Sequence, residues 1–366
     1  MVKDELLHKI GITLIDHVGH VISKTLISYC GSAEGVFKEK KQNLLKIPDI
    51  GEITAEAIVS QNILHKAEEE IKFIEKNDIS AMFYLDSDYP LRLKQCNDCP
   101  VVLYYKGNAN LNAERIIAIV GTRSATEYGK KLCSDLVEGL KDSNVIIISG
   151  LAYGIDAAAH RAALKVGLPT IGVVGHGLDM LYPQEHYNMS RKMLDNGGLL
   201  TDFTSGTMLA PENFPKRNRL IAGLCDAIVV VESKYSGGAI ITADIAFSYN
   251  REVMAFPGRT DDIYSQGCNR LIKSNKAMLI QSADDLLQSM GWKEKNKKPK
   301  KQAVLFHDFT TDEGVIVKVL QETGSPMHID DLALQSKLTP GNLSTLLLTL
   351  EFAGVLKSMP GKMYSL

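Results

Sequence analysis

The sequence predicts an α/β protein in which a doubly wound parallel sheet follows an all-α domain and precedes a winged-helix domain. Three observations predict it: helical periodicity in residues 1–78, short β-branched apolar runs between amphipathic stretches in residues 79–291, and three helical segments before a hairpin in residues 303–366. With 366 residues and 45% hydrophobic composition, the chain is long enough for two or three separate cores.

The first region, residues 1–78, has apolar residues spaced by three and four in ELLHKIGITLIDHVGHVI and in AEEEIKFIEK. Between these stretches, LLKIPDIGEITAEAIVSQ resembles a helix-hairpin-helix motif. Gly51 would permit a tight hairpin, and the backbone N–H groups of the helix that follows are suited to a phosphate. Such hairpins also serve as structural or protein-contacting modules, so DNA contact and a structural role both stay open here.

The central region, residues 79–291, contains the runs RIIAIV, VIIIS, PTIGVV, AIVVV and EVMAF. Continuous apolar runs of this length suit strands that are buried on both faces, which predicts a parallel sheet covered by helices. Residues 292–302 are strongly basic and polar and are predicted to be a linker, whose charge attracts anions without specific geometry.

The last region, residues 303–366, predicts helices at DEGVIVKVLQET, at HIDDLALQS and after Thr339, and then a β-hairpin. This is the pattern of a winged helix. Its third helix, in TPGNLSTLLLTLEFAG, contains no Lys or Arg, whereas a helix that reads the major groove uses basic and amide side chains. We therefore expect this domain to mediate protein contacts or self-association, and its deletion to leave the affinity for double-stranded DNA unchanged.

Composition limits the classes of partner. The formal net charge is only −2, so an anionic partner must be held by a local patch of cations. No apolar run spans a bilayer and no signal peptide is recognisable, which predicts a cytoplasmic protein without a membrane partner. Cys96 and Cys99 form a CxxC, but no second CxxC or His pair completes it, which favours structural thiols over a metal site. No cofactor is predicted.

Open parallel sheets bind ligands at the carboxyl ends of their strands, where this sequence is rich in Gly and small polar residues. The first such turn follows the strand at 116–120 and contains Gly121, Thr122, Arg123 and Ser124. Small residues let the backbone approach a phosphate, the helix start supplies N–H donors, and the arginine adds charge-assisted hydrogen bonds. The turn lacks the GxGxxG pattern, so a dinucleotide is not specifically indicated.

The second turn contains Ser149 and Gly150 after a strand, with Asp156 near the start of the next helix. We interpret Asp156 as a cap of that helix rather than a catalytic acid. His160 shares a small-residue helix face, and close packing explains it.

The third candidate is a basic loop in ENFPKRNRLIAGL, which carries Lys216, Arg217, Asn218 and Arg219 just ahead of an apolar helix. Three cations in four residues repel one another unless an anion or acidic neighbours compensate them. A charge run is usually a solvated face, but Phe214 and its proline should hold this one near the strand ends. We therefore predict contacts with phosphates.

The fourth turn, in VVVESKYSGGAIITADIAF, places Ser236, Gly237 and Gly238 at the start of a helix. This is again a helix N-terminus suited to a phosphate. Four such turns at one edge of a sheet have room for several phosphates. This suits a single strand of nucleic acid better than a small ligand. Ser149 and Gly150 of the second turn are therefore also predicted to bind the nucleic acid.

The blocks VGTRSATEYG, SGLAYGIDAAAH, GHGLDMLYP, FPKRNRLIAG, SGGAIITADIA and FPGRTDDIYSQGCNRLI resemble, in order, those of the bacterial DprA (Smf) family. The resemblance implies an extended Rossmann-like core that binds single-stranded DNA through Gly121 to Ser124, Lys216 to Arg219 and Ser236 to Gly238. It also implies protection of incoming DNA during natural transformation, loading of the RecA recombinase, and a homodimer through the core. Asp202 and Cys99 depart from the family pattern.

An enzyme is the alternative, because related Rossmann-like proteins resembling nucleotide phosphoribohydrolases bind a nucleoside monophosphate with a PGGxGTxxE turn. Here the corresponding stretch is SGGAIITAD, which lacks the Gly-Thr pair and has Asp244 in place of the glutamate. No Ser-His-Asp order, P-loop or metal-ligand cluster is recognisable. We therefore expect a binding protein without catalytic residues.

Overall fold

The computed structural model describes residues 2–60, 63–293 and 309–366. All but the first two residues of the predicted linker, 292–302, lie outside the described residues, as do the first residues of the predicted winged-helix region.

The helical region packs its apolar faces around Ile10, Leu26 and Ile58, which are all fully buried. The same core includes side chains of the first strands of the sheet, so this region rests on the edge of the central domain. In the hairpin, Asp49 has the left-handed backbone (φ 63°) that we expected of Gly51. Asp adopts this conformation because its short polar side chain forms local hydrogen bonds. The helices are α1 Val2–Gly11, α2 His20–Cys30, α3 Ala33–Lys38, α4 Lys41–Leu44, α5 Glu52–Ser60 and α6 Leu64–Lys76.

The central sheet has nine strands in the described part of the chain. They are β1 Ser80–Phe83, β2 Val102–Gly107, β3 Ile116–Val120, β4 Ile146–Ser149, β5 Thr170–Val173, β6 Gly197–Thr201, β7 Ala227–Val230, β8 Glu252–Ala255 and β9 Met278–Leu279. Their order is β1-β2-β6-β5-β4-β3-β7-β8-β9. The pairs β1/β2 and β2/β6 are antiparallel and the others parallel. The predicted doubly wound sheet is confirmed, with two antiparallel strands added at one edge.

Helices cover both faces of this sheet, as the continuous apolar runs predicted. In β3, Ile116, Ala118 and Val120 enter one core, whereas Ile117 and Ile119 enter the core on the opposite face. The helices of this domain are α7 Leu91–Lys94, α8 Glu127–Gly139, α9 Ile155–Val166, α10 Tyr187–Asp195, α11 Asn213–Leu224, α12 Gly238–Ser248, α13 Gln266–Lys273 and α14 Ala283–Ser289. The strand order reverses at β3, which lies between β4 and β7, and a crevice is expected beyond its carboxyl end.

The C-terminal region is a winged helix, as predicted. Its core is formed by Ile316, Leu332 and Leu343, which are fully buried. Its elements are α15 Thr311–Thr323, β10 Met327–His328, α16 Ile329–Ser336, α17 Pro340–Phe352, β11 Lys357–Met359 and β12 Met363–Ser365. Across the described ranges, no helix has the length and apolar character needed to cross a bilayer.

Candidate nucleic-acid interface

A cleft of about 270 Å³ opens at the switch point of the sheet. The turn after β3 forms one wall, the first residues of α11 form another, and the start of α12 with the preceding turn forms the third. Ala152 and Asp156 contribute from the second turn. The structure thus brings together the segments that the sequence singled out.

The first turn differs from the expectation because a protein carboxylate already lies at the start of α8. Glu232, 3% exposed, accepts hydrogen bonds from the amide of Thr126 at 3.0 Å and from its hydroxyl. Any side chain at Gly129 would collide with this carboxylate, so the glycine is required for its close approach. The α8 N-terminus is therefore not open to a phosphate, and the sequence showed no sign of this. Arg123 and Ser124 remain exposed.

The second turn faces the protein interior. Ser149 is fully buried and donates its hydroxyl to the Ile119 carbonyl at 2.6 Å. The Gly150 amide donates to Asp156 at 3.2 Å. The expected phosphate contacts of Ser149 and Gly150 do not fit this arrangement, because their polar groups are used internally.

Asp156 serves a different purpose from the predicted helix cap. Gly154 is the N-cap of α9, whereas Asp156 lies inside its first turn and accepts hydrogen bonds from the Gly150 and Ala152 amides. Burial raises the pKa of Asp156, and the nearby guanidinium of Arg217 opposes this shift. The carboxylate therefore fixes the second turn.

His160 is fully buried on α9, as the packing interpretation requires. Its Nδ1 lies 2.7 Å from the Thr170 hydroxyl. Burial lowers the pKa of His160 to about 3, so the imidazole is neutral at physiological pH. His160 is therefore part of the buried scaffold.

The predicted basic loop is helical, because its residues fall within α11. Arg217 points inward with 5% exposure and donates hydrogen bonds to the carbonyls of Gly150 and Val173. Burial lowers the pKa of Arg217 to about 10, which leaves it charged at neutral pH. Its main contacts are therefore within the protein, contrary to the expected solvent-facing phosphate contact, although it also lines the floor of the cleft.

Arg219 is likewise held by the protein. Its Nη2 donates to Asp202 at 2.6 Å, and Nη1 donates to the carbonyl of Asp98. His20 of α2 lies 3.4 Å from the same Asp202 oxygen. Burial raises the pKa of Asp202, but hydrogen bonding from His20 and the charge of Arg219 outweigh burial and lower it overall. Arg219 therefore ties α11 to the segments that carry Asp98 and Asp202, and Asp202 in turn contacts His20 of the helical region.

The other two residues of the predicted loop remain accessible. Lys216 is exposed but does not line the cleft, whereas the half-buried Asn218 does. Asn218 accepts a hydrogen bond from Arg217 at 3.2 Å. Of the four predicted residues, Asn218 lies in the cleft wall and Lys216 lies on the nearby surface.

The fourth turn keeps an open helix start. No side chain caps α12, whose N-cap is Gly237, and its first turn contains no acidic residue. Gly237 and Gly238 line the cleft, and Ser236 is exposed beside them. Because unpaired N–H groups and the helix dipole favour an anion, this is the helix start best suited to a phosphate.

Two exposed cations lie near this helix start: Arg123 across the cleft, and Lys234 in the turn that precedes α12. The Arg123 guanidinium lies 5.1 Å from the centre of the Phe214 ring, and Lys234 lines the opposite wall. Within the described part of the chain, no carboxylate pairs with either cation. Sequence reasoning missed Lys234, although its position two residues before the Ser-Gly-Gly turn was a usable signal.

The CxxC cysteines lie away from the cleft and are both buried. The Cys96 thiol donates to the Arg92 carbonyl at 3.6 Å, and Lys24 donates to Cys99 at 2.9 Å. Among the residues that the structure describes, no cluster of His, Cys, Asp or Glu is suited to a metal ion.

Fold and cleft together define an α/β protein with a crevice, lined by two exposed cations and an uncapped helix start, at the switch point of a doubly wound sheet. The family model for DNA recombination-mediator protein A matches residues 80–291, and that for the DprA winged-helix domain matches residues 299–362. The chain belongs to the DNA recombination-mediator protein A (DprA) family.

Individual relatives agree with this assignment. The DNA processing protein DprA of Streptococcus pneumoniae is 40% identical over 203 residues, which is 56% of this chain and 71% of the relative. Protein Smf of Synechocystis sp. is 30% identical over 400 aligned positions that cover 100% of this chain and 99% of the relative.

Two solved structures are also similar. The X-ray structure of the Streptococcus pneumoniae protein matches with a TM-score of 0.67 and 31% identity, covering 77% of this chain and 97% of that one. DNA processing protein A of Helicobacter pylori, whose structure is described for its unique single-stranded DNA binding mode, matches with a TM-score of 0.53 and 26% identity. The match covers 58% of this chain and 94% of that one.

Proposed function

We propose that this chain binds single-stranded DNA in the cleft between α11 and α12. One observation carries the proposal: an uncapped helix start, Gly237 to Gly238, lies in the same cleft as Arg123 and Lys234, whose charges have no carboxylate partner among the described residues. Phosphates of a nucleic-acid backbone supply the missing counter-charge. The Phe214 ring beneath Arg123 adds an aromatic surface of the kind that stacks with unpaired bases.

The family assignment supports a role in DNA processing, and the Helicobacter pylori neighbour supports single-stranded DNA as the ligand. We further propose that the chain protects incoming DNA and helps to load the RecA recombinase during natural transformation. We propose that the protein performs this role in the cytoplasm. The exposed Leu348 and Phe352 on α17, 53% and 84% accessible, favour protein contacts for the winged helix.

The enzymatic alternative loses support from the position of Asp244, the residue that replaces the glutamate of phosphoribohydrolase-like proteins. Asp244 forms an ion pair with Lys276 at 2.6 Å and is not among the residues that line the cleft. A general acid or base must reach the substrate. We therefore propose a binding role without catalysis.

The Arg123→Gln/Lys234→Gln variant tests single-stranded DNA binding. We expect its affinity for labelled oligo-dT to fall about 10- to 100-fold, and the slope of log K against log salt to decrease by about 1.4, since each lost phosphate contact on a single strand contributes about 0.7. Fluorescence anisotropy over a salt titration measures both quantities.

A matched control is Lys141→Gln/Lys165→Gln, because these exposed lysines lie near the C-terminal ends of α8 and α9, at the opposite edge of the sheet. It should bind the oligonucleotide like the unmodified protein. If the cleft variant also retains affinity and salt slope, the cleft is not the DNA site.

We also propose a homodimer through the Rossmann-like domain. The edge strand β9 exposes Met278 and Leu279, 46% and 43% accessible, and an exposed apolar edge strand is suited to pairing with another chain. Met278→Lys should convert the dimer to a monomer in sedimentation equilibrium. Leu334→Lys, at an exposed position of α16, should not; a dimer that survives Met278→Lys contradicts this interface.

A further inference from the structure

We propose that Tyr235 and Arg270 form a stacking platform for one nucleobase of the strand whose phosphate lies at the start of α12. This inference rests on the proposed single-stranded DNA binding and adds a base-contacting subsite outside the cleft. Its ligand is the flat face of an unpaired base, read without sequence preference.

The platform is preformed. The Tyr235 ring is 58% exposed, and the Arg270 guanidinium lies over it, 4.6 Å from the ring centre. Arg270 Nη1 also donates to the Tyr235 carbonyl at 3.1 Å, which fixes the arginine relative to the turn. An aromatic ring and a guanidinium both stack with bases, so each surface of the pair suits this ligand.

The position of the platform links it to the cleft. Tyr235 lies two residues before Gly237, so the two Cα atoms are separated by at most about 8 Å. Lys234, which precedes Tyr235, lines the cleft, and its ammonium lies 5.5 Å from the centre of the Tyr264 ring. A nucleotide whose phosphate meets the α12 amides therefore has its base, or that of its neighbour, within reach of Tyr235.

Charge at this position also favours a nucleic acid. Within the described ranges, no carboxylate pairs with Arg270 or Lys234, so two cations flank the exposed ring. Tyr153 provides the contrast: its ring is exposed as well, but its hydroxyl donates to Glu185 at 2.8 Å, which repels a phosphate. Because the Tyr235 ring is exposed, packing in a core does not explain why Arg270 is held over it.

The test uses the full chain and oligo-dT that carries a single 2-aminopurine at successive positions. With the unmodified protein, stacking should quench 2-aminopurine at one position. Tyr235→Ala should abolish that quenching and weaken binding about tenfold, with an unchanged salt slope because no phosphate contact is lost. Tyr235→Phe should retain both the quenching and the affinity, since the ring is preserved.

Tyr29→Ala, at a 63% exposed tyrosine of α2, is the matched control and should behave like the unmodified protein. Unchanged affinity and quenching in Tyr235→Ala would overturn the platform. A changed oligomeric state without loss of affinity would overturn it too, because it would identify Tyr235 as a protein contact. If the unmodified protein fails to bind the oligonucleotide, the proposed function falls as well. If only the Arg123/Lys234 variant loses binding, the platform alone is wrong.

Discussion

Replacing Arg217 with methionine is expected to lower the free energy of unfolding by about 3–5 kcal/mol. The guanidinium is buried beside the Asp156 carboxylate and donates to the Gly150 and Val173 carbonyls. Methionine fills much of the volume but supplies no donor, so it leaves a buried charge and two carbonyls without their partner. Urea denaturation followed by circular dichroism measures the loss.

Two companion variants make this prediction specific. Lys216→Met changes an exposed cation on the same helix and should alter stability by no more than about 0.5 kcal/mol. Arg217→Met/Asp156→Leu removes both charges and should be less destabilised than the sum of the single changes. Should Arg217→Met keep its full stability and lose affinity for oligo-dT, Arg217 would be a phosphate contact of the kind first expected from the basic run.

Glu232→Ala is expected to lower the free energy of unfolding by about 2–4 kcal/mol, because hydrogen bonds to a buried charged group are among the strongest in proteins. The variant loses the acceptor of the Thr126 amide and hydroxyl and leaves a space against Gly129. It also uncovers the start of α8. Sulfate should therefore stabilise the variant more than the unmodified protein, since an anion can occupy the vacated place; thermal unfolding with and without sulfate measures this.

The control for this experiment is Glu252→Ala, which removes an exposed carboxylate at the start of β8. It should leave both the stability and the response to sulfate unchanged. An equal response to sulfate in Glu232→Ala and the unmodified protein would contradict the view that Glu232 occupies an anion site.

The fold was largely predictable because its central strands are recognisable as continuous apolar runs in the sequence. Within RIIAIV and VIIIS, the segments IIAIV and VIII are apolar at every position, which is typical of a strand covered on both faces. The strands β1, β2, β6 and β9 were missed. GGLLT in β6 begins with two glycines, β9 has two residues, and β1 and β2 lie at the antiparallel edge beneath the helical region, where the apolar pattern is less regular.

The candidate site was predicted in location but not in detail. Helical spacing already placed Arg217 on the face of Asn213, Leu220, Ile221 and Leu224, all buried, so its inward orientation could have been read from the sequence. Nothing comparable marked Glu232, which reaches Thr126 across 106 residues of chain. Long-range partners of this kind follow from strand order, which local patterns do not specify.

The sequence by itself determined the class of sheet, the winged helix, and the edge at which small residues and cations gather, because these depend on periodicity and on residue type. Only the tertiary structure decided which helix start remains open to an anion. The Glu232 carboxylate occupies the start of α8 and Asp156 fixes the turn before α9, whereas no side chain caps α12. A helix N-terminus favours a nearby negative charge, and among the described residues folding places carboxylates of the protein near the starts of α8 and α9 but not of α12.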